Sequence, residues 1–155
     1  MASRHRLRLV DASTGDLYLD RWGVVLAGGR CNVMLHHIGG TDEREPHDHP
    51  WNFVTIALRG GYDESWFPDL ASVAGPGTVR RHRRFRPRRV SRGEYHAVTA
   101  IEGDVWTLVF AGRRRHDWGF ALRGDHDGDA VRHVHFTDPE REPAHLVTIE
   151  WGSDG

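Results

Sequence analysis

Residues 46–51 read Pro-His-Asp-His-Pro-Trp, and this stretch decides how the rest of the chain is interpreted. On an extended backbone, residues two apart point to the same face, so His47 and His49 would present two imidazoles side by side while Asp48 faces away. Two neighbouring imidazoles suit a divalent transition metal such as iron, zinc, manganese, nickel or copper. The stretch therefore predicts a metal site, although two surface histidines on a loop would give the same pattern.

The sequence on both sides of this stretch is a series of strand signals. Residues 51–58 are a strong strand candidate that we expect Gly60 and Gly61 to end, and residues 62–67 could pair back onto it. Other candidates are residues 6–10, 17–26, 31–38, 78–90, 95–101, 105–111, 118–122, 131–136 and 146–151, with loops at 124–128 and 138–144. About ten short strands without a sustained helical period predict one all-β domain, a sandwich or a barrel.

Length and composition exclude several classes of protein. The chain has 155 residues, 38% of them hydrophobic, which is enough for one domain with a core of its own. The single cysteine, Cys31, allows no intramolecular disulfide. No apolar run approaches the ~20 residues that span a bilayer, and no signal peptide is visible, so we expect a cytoplasmic protein without membrane contact. The net charge of −1 does not argue for nucleic acid, which we do not expect as a partner.

The histidines and glycines together resemble the motifs of the cupin superfamily. His47 and His49 are followed by Gly60 or Gly61 as in the first cupin motif, and His96 fits the histidine of the second. The resemblance covers residues 30–112, and the Trp-Thr-Leu and Trp-Gly-Phe sequences at 106–108 and 118–120 are similar to those of small bacterial and phage cupin-like proteins. It implies a double-stranded β-helix (jelly-roll) barrel.

The resemblance also implies a metal site held by His47, His49 and His96. One departure concerns the motif glutamate, whose expected position falls on Phe53 or Val54, and neither of these side chains can bind a metal. A three-histidine site would result, as in the thiol-dioxygenase branch of the superfamily.

Two other outcomes stay open. A carboxylate such as Asp63 or Glu64 on the next strand could complete the site, or the site could be degenerate and bind no metal. The third histidine could also be His82, or a remote one such as His36 or His116. We expect one divalent metal, with Fe(II) favoured and zinc, manganese or nickel as alternatives.

Several residues near the expected barrel mouth are candidates for contact with a small-molecule substrate. Strand ends are where barrel pockets open, and aromatic or arginine side chains there can pack on or bind a substrate. The candidate substrate-binding residues are Trp51, Asn52, Arg115, Trp118 and His36. The candidate catalytic residues are Tyr62, as a phenol donor, and Arg113.

Residues 80–92 contain eight arginines and no acidic residue. We interpret them as a solvated edge hairpin whose charge resists aggregation. An anion-binding rim at the barrel mouth and a nucleic-acid surface are the alternatives. The second His-x-His pattern, at His133 and His135, is interpreted as two solvent-facing imidazoles on a peripheral strand.

These observations lead to a functional hypothesis with two alternatives. The first hypothesis is an Fe(II) oxygenase that acts on a small polar or anionic molecule. The second is a redox-free isomerase, lyase or decarboxylase in which the metal is a Lewis acid. The third is a binding or sensing module without turnover. The resemblance to cupins further implies a homodimer.

Overall fold

The computed structural model describes residues 2–41, 46–123, 130–135 and 146–154, and strands make up most of them. Ten strands occur in these ranges: β1 (Ser3–Asp11), β2 (Leu17–Leu26), β3 (Cys31–Ile38), β4 (Phe53–Phe67), β5 (Thr78–His82), β6 (Pro87–Val90), β7 (Tyr95–Ala111), β8 (Gly119–Leu122), β9 (Arg132–His135) and β10 (Leu146–Asp154). Two short 3-10 helices, Ala27–Gly29 and Ala71–Ala74, are the helical segments of the described residues.

Eight strands form one sheet in the order β10-β1-β2-β3-β7-β4-β5, with β6 paired to β4, while β8 and β9 form a second sheet. All of these pairs are antiparallel. The all-β prediction is confirmed, and the architecture is a jelly roll. The described residues contain no helix long and apolar enough to cross a membrane. The predicted loops at 124–128 and 138–144 lie outside the described residues.

The glycine pair at Gly60 and Gly61 does not end a strand, contrary to the sequence prediction. β4 continues through both residues to Phe67. Gly60 has a φ of +64°, and a Cβ there would lie 2.8 Å from the carbonyl oxygens of Glu102 and Asp104. The glycine allows β4 and β7 to bend together, so β7 runs unbroken from Tyr95 to Ala111, where the sequence predicted two strands, 95–101 and 105–111.

This irregularity at Gly60 reverses which side chains of β4 face inward. Before it, the buried positions are the odd-numbered Phe53, Thr55 and Ala57, whereas after it Tyr62 and Glu64 are buried. The register against β7 shifts at the same place, between Ala57 and Gly61. Since side chains alternate along a strand, one extra residue moves Glu64 from the solvent side to the interior.

The other long strands bring one row of side chains across the barrel wall. Leu7 of β1 lies opposite Arg21 of β2, Arg21 opposite His36 of β3, and His36 opposite Thr107 of β7. Leu7 and Thr107, at the two ends of this row, are each only 1% exposed. The row therefore faces the interior, and it places Arg21 and His36 side by side there.

The arginine-rich stretch lies along the edge of the large sheet, as its charge predicts, but it is not the predicted hairpin, because β5 and β6 each pair with β4 and not with each other. β5 lies at the edge of the large sheet, where Arg81 pairs with Asp63 through two bonds of 2.8 Å. The guanidinium of Arg80 lies 3.5 Å from the ring centre of Trp66, a cation–π contact. One arginine of this stretch, Arg88, points inward instead and pairs with the buried Glu64.

Candidate metal centre

The segment that carries His47 and His49 is tied to two strands by backbone hydrogen bonds. His47 and His96 exchange a pair of bonds of 2.9 and 3.0 Å, which joins the segment to the beginning of β7. On the other side, His47 forms a bridge with Phe120 of β8. The prolines at 46 and 50 bracket the segment, so its backbone is fixed by both sequence and pairing.

These ties bring His47, His49 and His96 together. One ring nitrogen from each lies within 4.8 Å of the others, and the Nε2 atoms of His49 and His96 are 2.6 Å apart. Burial and the neighbouring histidines hold the pKa of His49 well below its usual value, so its imidazole is neutral and able to ligate a metal. No other group of this kind occurs in the described part of the chain.

A buried carboxylate orients His96 from behind. The Nδ1–H of His96 donates to Oε2 of Glu64 over 2.8 Å, which turns Nε2 towards the other two histidines. Glu64 is fully buried, with 0% exposure. Metal-binding histidines commonly donate their second ring N–H to a carboxylate, which fixes the tautomer. Glu64 therefore supports one of the candidate ligands, and the group that could hold a metal consists of the three histidines.

Glu64 has two further partners in the interior. Oε2 lies 3.2 Å from Nε2 of His82, and Oε1 pairs with the guanidinium of Arg88. Burial alone would raise the pKa of Glu64, but His96 and His82 outweigh burial and hold it well below its usual value. His82, which the sequence left open as a third ligand, is therefore part of the support for Glu64; its ring stacks on Tyr62 with centroids 4.2 Å apart.

Asp48 faces away from the ligands, as the alternation predicts. Its carboxylate accepts a bond of 2.8 Å from the backbone N–H of Gly119 and lies 2.8 Å from Nε2 of His116 and 3.4 Å from Nε2 of His133. His133 is thus partly buried against Asp48, which corrects the prediction of a solvent-facing ring; His135 is exposed. Asp48 holds the ligand segment against β8 and β9.

A cavity of about 50 Å³ opens beside His47 and His49. Its wall is mostly apolar and aromatic, with two arginines and no carboxylate among the residues that line it: Leu7, Leu9, Tyr18, Leu19, Arg21, His47, His49, Pro50, Trp51, Arg114 and Trp118. Burial and Arg114 lower the pKa of Arg21 to about 10, so its guanidinium is still charged at neutral pH. The cavity therefore combines a positive charge with apolar walls next to the histidines.

The structure brings some of the predicted substrate residues to this cavity and leaves others outside it. Trp51 and Trp118 line it, and the ring of Trp118 meets that of His47 edge-on at 5.9 Å. His36 lies beside Arg21 in the interior row. Tyr62 lines a different cavity, together with Asp63 and His82.

Asn52, Arg113 and Arg115 are not among the residues that line the cavity beside the histidines. The side chain of Asn52 accepts a bond of 2.8 Å from the backbone N–H of Arg92. Arg115 donates its backbone N–H to the carbonyl of Pro50, and both Arg113 and Arg115 are exposed. These three residues lie at the surface around the ligand segment, so the substrate contacts of Asn52 and Arg115 and the catalytic role of Arg113 stay predictions.

Sequence reasoning missed Arg21, Arg88 and Arg114. The available signal for Arg21 was a charged residue that alternates with the apolar Leu17 and Leu19 along the strand at residues 17–26. The signal for Arg88 was hidden among the eight arginines of residues 80–92, since nothing in that run distinguishes the one that faces inward. Arg114 was visible as part of an arginine triplet, in which only its neighbours were chosen.

Comparison with known proteins identifies the fold. No family model and no curated protein sequence matches the chain. Among solved structures, the polyketide cyclase RemF from Streptomyces resistomycificus is similar, with 17% identity, a TM-score of 0.53, and coverage of 73% of this chain and 78% of RemF. The Fe(II) form of HppE in complex with substrate gives 15% identity, a TM-score of 0.51, and coverage of 68% and 56%.

A mutant of Bacillus subtilis oxalate decarboxylase is also similar, with 12% identity, a TM-score of 0.51, and coverage of 71% of this chain and 30% of the enzyme. These neighbours have the cupin fold, and the likeness assigns the same fold to this chain. With the three-histidine group, the fold and the site define a cupin-fold protein with a candidate centre for one divalent metal. Three imidazoles, one held by a buried carboxylate, form a donor set that fits such an ion.

Proposed function

We propose that this protein is a mononuclear metal-dependent enzyme, an Fe(II) oxygenase that acts on a small anionic molecule. The observation that carries the proposal is the group of three histidines beside a cavity with a charged arginine. Three protein ligands leave coordination positions free, which is typical of catalytic rather than structural metal sites. When bound there, Fe(II) would supply the redox chemistry that dioxygen requires.

The chain's own residues would prepare the site for this reaction. Glu64 holds the proton at Nδ1 of His96 and keeps Nε2 free for ligation. Trp51 and Trp118 restrict water at the cavity wall, and Arg21 offers a positive charge to an anionic substrate. Because the three imidazole ligands are neutral, a divalent ion keeps its full +2 charge, which also favours an anion.

The same full charge favours a second candidate, a redox-free enzyme in which the metal polarises a substrate oxygen as a Lewis acid. An isomerase, lyase or decarboxylase would use the identical ligands. The two candidates differ in their need for dioxygen and iron. A binding module without turnover differs from both in giving no product with any metal.

An oxygen-uptake experiment separates these candidates. The protein is loaded anaerobically with Fe(II) or with Zn(II) and mixed with a panel of small carboxylic acids, including 2-hydroxy and 2-oxo acids, and both oxygen uptake and products are measured. Uptake that requires both iron and an acid supports the oxygenase. Turnover by the zinc form without oxygen would contradict it and favour the redox-free enzyme, and metal binding with no product from either form would favour the binding module.

Homodimer formation is a further part of this proposal, as is a cytoplasmic location. The dimer is tested by light scattering on the eluting protein, which would give twice the mass of one chain. The location is tested by fractionating cells that express the full chain. Both are predictions from the sequence and its resemblance to cupins.

A further inference from the structure

We propose that Arg21, flanked by His36, binds the carboxylate of the substrate and so sets the substrate class as small apolar monocarboxylic acids. The proposal rests on the proposed function, because it concerns the cavity beside the same three histidines. It names a specificity-determining residue that the sequence motifs do not contain.

Arg21 lines the same cavity as two of the three histidines. Arg21 lies at the middle of β2, between Leu7 of β1 and His36 of β3 in the row that faces the interior of the barrel. Its side chain lines the cavity that His47 and His49 also line. Both Arg21 and His36 lie close enough to His49 to contribute to its low pKa. A group bound at Arg21 would therefore lie within the same enclosed space as the candidate metal.

Arg21 and His36 each have a polar side-chain atom without a hydrogen-bond partner among the described residues. Nε of Arg21 and Nε2 of His36 are both inaccessible to solvent, and neither forms a hydrogen bond with any described residue. No carboxylate among the described residues lies within ion-pair distance of Arg21, whereas Arg6 on the same sheet pairs with Asp20 at 3.0 Å. A part-buried guanidinium whose Nε is enclosed without a hydrogen-bond partner is costly, and such unsatisfied groups in native proteins commonly mark functional sites. An acidic ligand would supply the missing partner.

The shape and charge of the cavity select a carboxylate. A guanidinium binds a carboxylate through two parallel N–H···O bonds in one plane. A single unpaired arginine next to a buried imidazole matches one negative charge, whereas a phosphate brings two and is bulkier. The second arginine of the cavity, Arg114, is largely exposed and already pairs with Asp117. We therefore assign the charge recognition to Arg21.

The apolar residues of the cavity wall indicate the chemistry of the part of the ligand that Arg21 does not contact. Leucine and aromatic side chains make up most of the lining, so the body of the ligand is apolar: Leu7, Leu9, Leu19, Tyr18, Trp51 and Trp118. The cavity of about 50 Å³ suits a small molecule and excludes a polypeptide segment or a nucleic-acid strand.

Nuclear magnetic resonance titrations with matched probes test the assignment. The probes are isobutyrate, its uncharged analogue isobutyramide, and inorganic phosphate, each added to metal-free and to Zn(II)-loaded protein. We expect isobutyrate to bind at least about tenfold more tightly than isobutyramide, the order expected from one charge-assisted interaction. Arg21→Met should remove this preference, and Arg89→Met, which removes an exposed arginine of β6, should preserve it.

A stability measurement distinguishes binding from a structural role. Because Arg21 has no partner in the described residues, Arg21→Met should keep or raise the midpoint of unfolding, whereas loss of a structural arginine would lower it. Equal binding of isobutyrate and isobutyramide, an unchanged preference in Arg21→Met, or tighter binding of phosphate than of isobutyrate would each overturn the proposal. Since the preference is measured in metal-free protein too, failure to bind metal would contradict the proposed function and leave this test intact.

Discussion

Oε2 of Glu64 lies 2.8 Å from Nδ1 of His96, and this contact links the candidate metal centre to the charged interior of the barrel. His96 reaches the site from β7 and Glu64 from β4, so the contact also joins the two longest strands. A change at Glu64 therefore acts on metal binding and on folding, and the two effects can be separated by experiment.

Glu64→Gln should weaken metal binding while the three ligands stay in place. The loss of a carboxylate behind a ligating histidine commonly costs 10–100-fold in metal affinity, so we expect a loss in this range. The measurement is a Zn(II) competition titration with a chromophoric chelator. Asp63→Asn is the matched control, since Asp63 is the neighbouring residue, faces outward and pairs with the exposed Arg81. Wild-type affinity in Glu64→Gln would contradict the assigned role.

Arg88→Met should destabilise the protein because it leaves Glu64 without its guanidinium partner. Removing one member of a buried ion pair costs about 3–5 kcal/mol, and this pair is nearly enclosed, so a loss of about 3 kcal/mol in the free energy of unfolding is expected. Glu64→Gln in the same chain should recover part of that loss, since the uncompensated charge disappears. Urea unfolding of the two single variants and the double variant measures this coupling, and purely additive losses would refute it.

The free energy of unfolding should decrease at acidic pH because of His36. Burial, followed by the nearby Arg21, lowers the pKa of His36 to about 3, from 6.5 in the unfolded chain. Because the unfolded chain takes up this proton below pH 6.5 and the folded protein does not, the contribution of His36 to stability is lost as pH falls. Between pH 6.5 and 5 this amounts to about 2 kcal/mol at ~1.4 kcal/mol per pH unit.

The test compares urea unfolding of wild type and His36→Gln at pH 7.5 and pH 5. The stability difference between the two pH values should shrink by about 2 kcal/mol in His36→Gln, and His135→Gln, at an exposed position, should leave it unchanged. Titratable groups that are present in both wild type and variant contribute equally to both pH dependences, so the difference between the two proteins reports on His36. An identical pH dependence in His36→Gln and wild type would show that His36 titrates normally in the folded protein.

Gly60→Ala should disrupt the bend that turns Glu64 inward. The residue has a positive φ, and the added Cβ would meet two carbonyl oxygens at 2.8 Å, so we expect a loss of about 1–3 kcal/mol in stability and weaker metal binding. Gly103→Ala is the matched comparison, because it has a φ of +72° but no atom within 4 Å of the added Cβ. Equal losses in both variants would indicate backbone strain alone and argue against the close packing at Gly60.

The sequence allowed the ligands to be predicted because their geometry is local. The two-residue spacing of His47 and His49 places both rings on one side, and His96 was predicted from its resemblance to the histidine of the second cupin motif. The continuation of β4 through Gly60 was not predictable in the same way, since a glycine pair is compatible with a turn or with a bulge. Only the pairing with β7 decides between them.

The positions of the charged residues around the three histidines also depend on the pairing of strands that are distant in sequence. Glu64 faces inward only because the irregularity at Gly60 shifts the alternation of β4, which a count of residues along the strand cannot reveal. Arg21 and His36 become neighbours through the register of β2 and β3, fifteen residues apart in the chain. The fold class and the three-histidine group were therefore accessible from the sequence, whereas the charged residues around that group were not.

The central claim is that His47, His49 and His96 bind one divalent metal, and metal analysis tests it most directly. Wild type, the double variant His47→Ala/His49→Ala and the matched double variant His37→Ala/His135→Ala are incubated anaerobically with Fe(II), desalted, checked for folding and analysed for metal. We predict about one metal ion per chain in wild type and the matched variant, and none in the folded ligand variant. Metal-free wild type, or equal metal content in all three proteins, would contradict the account.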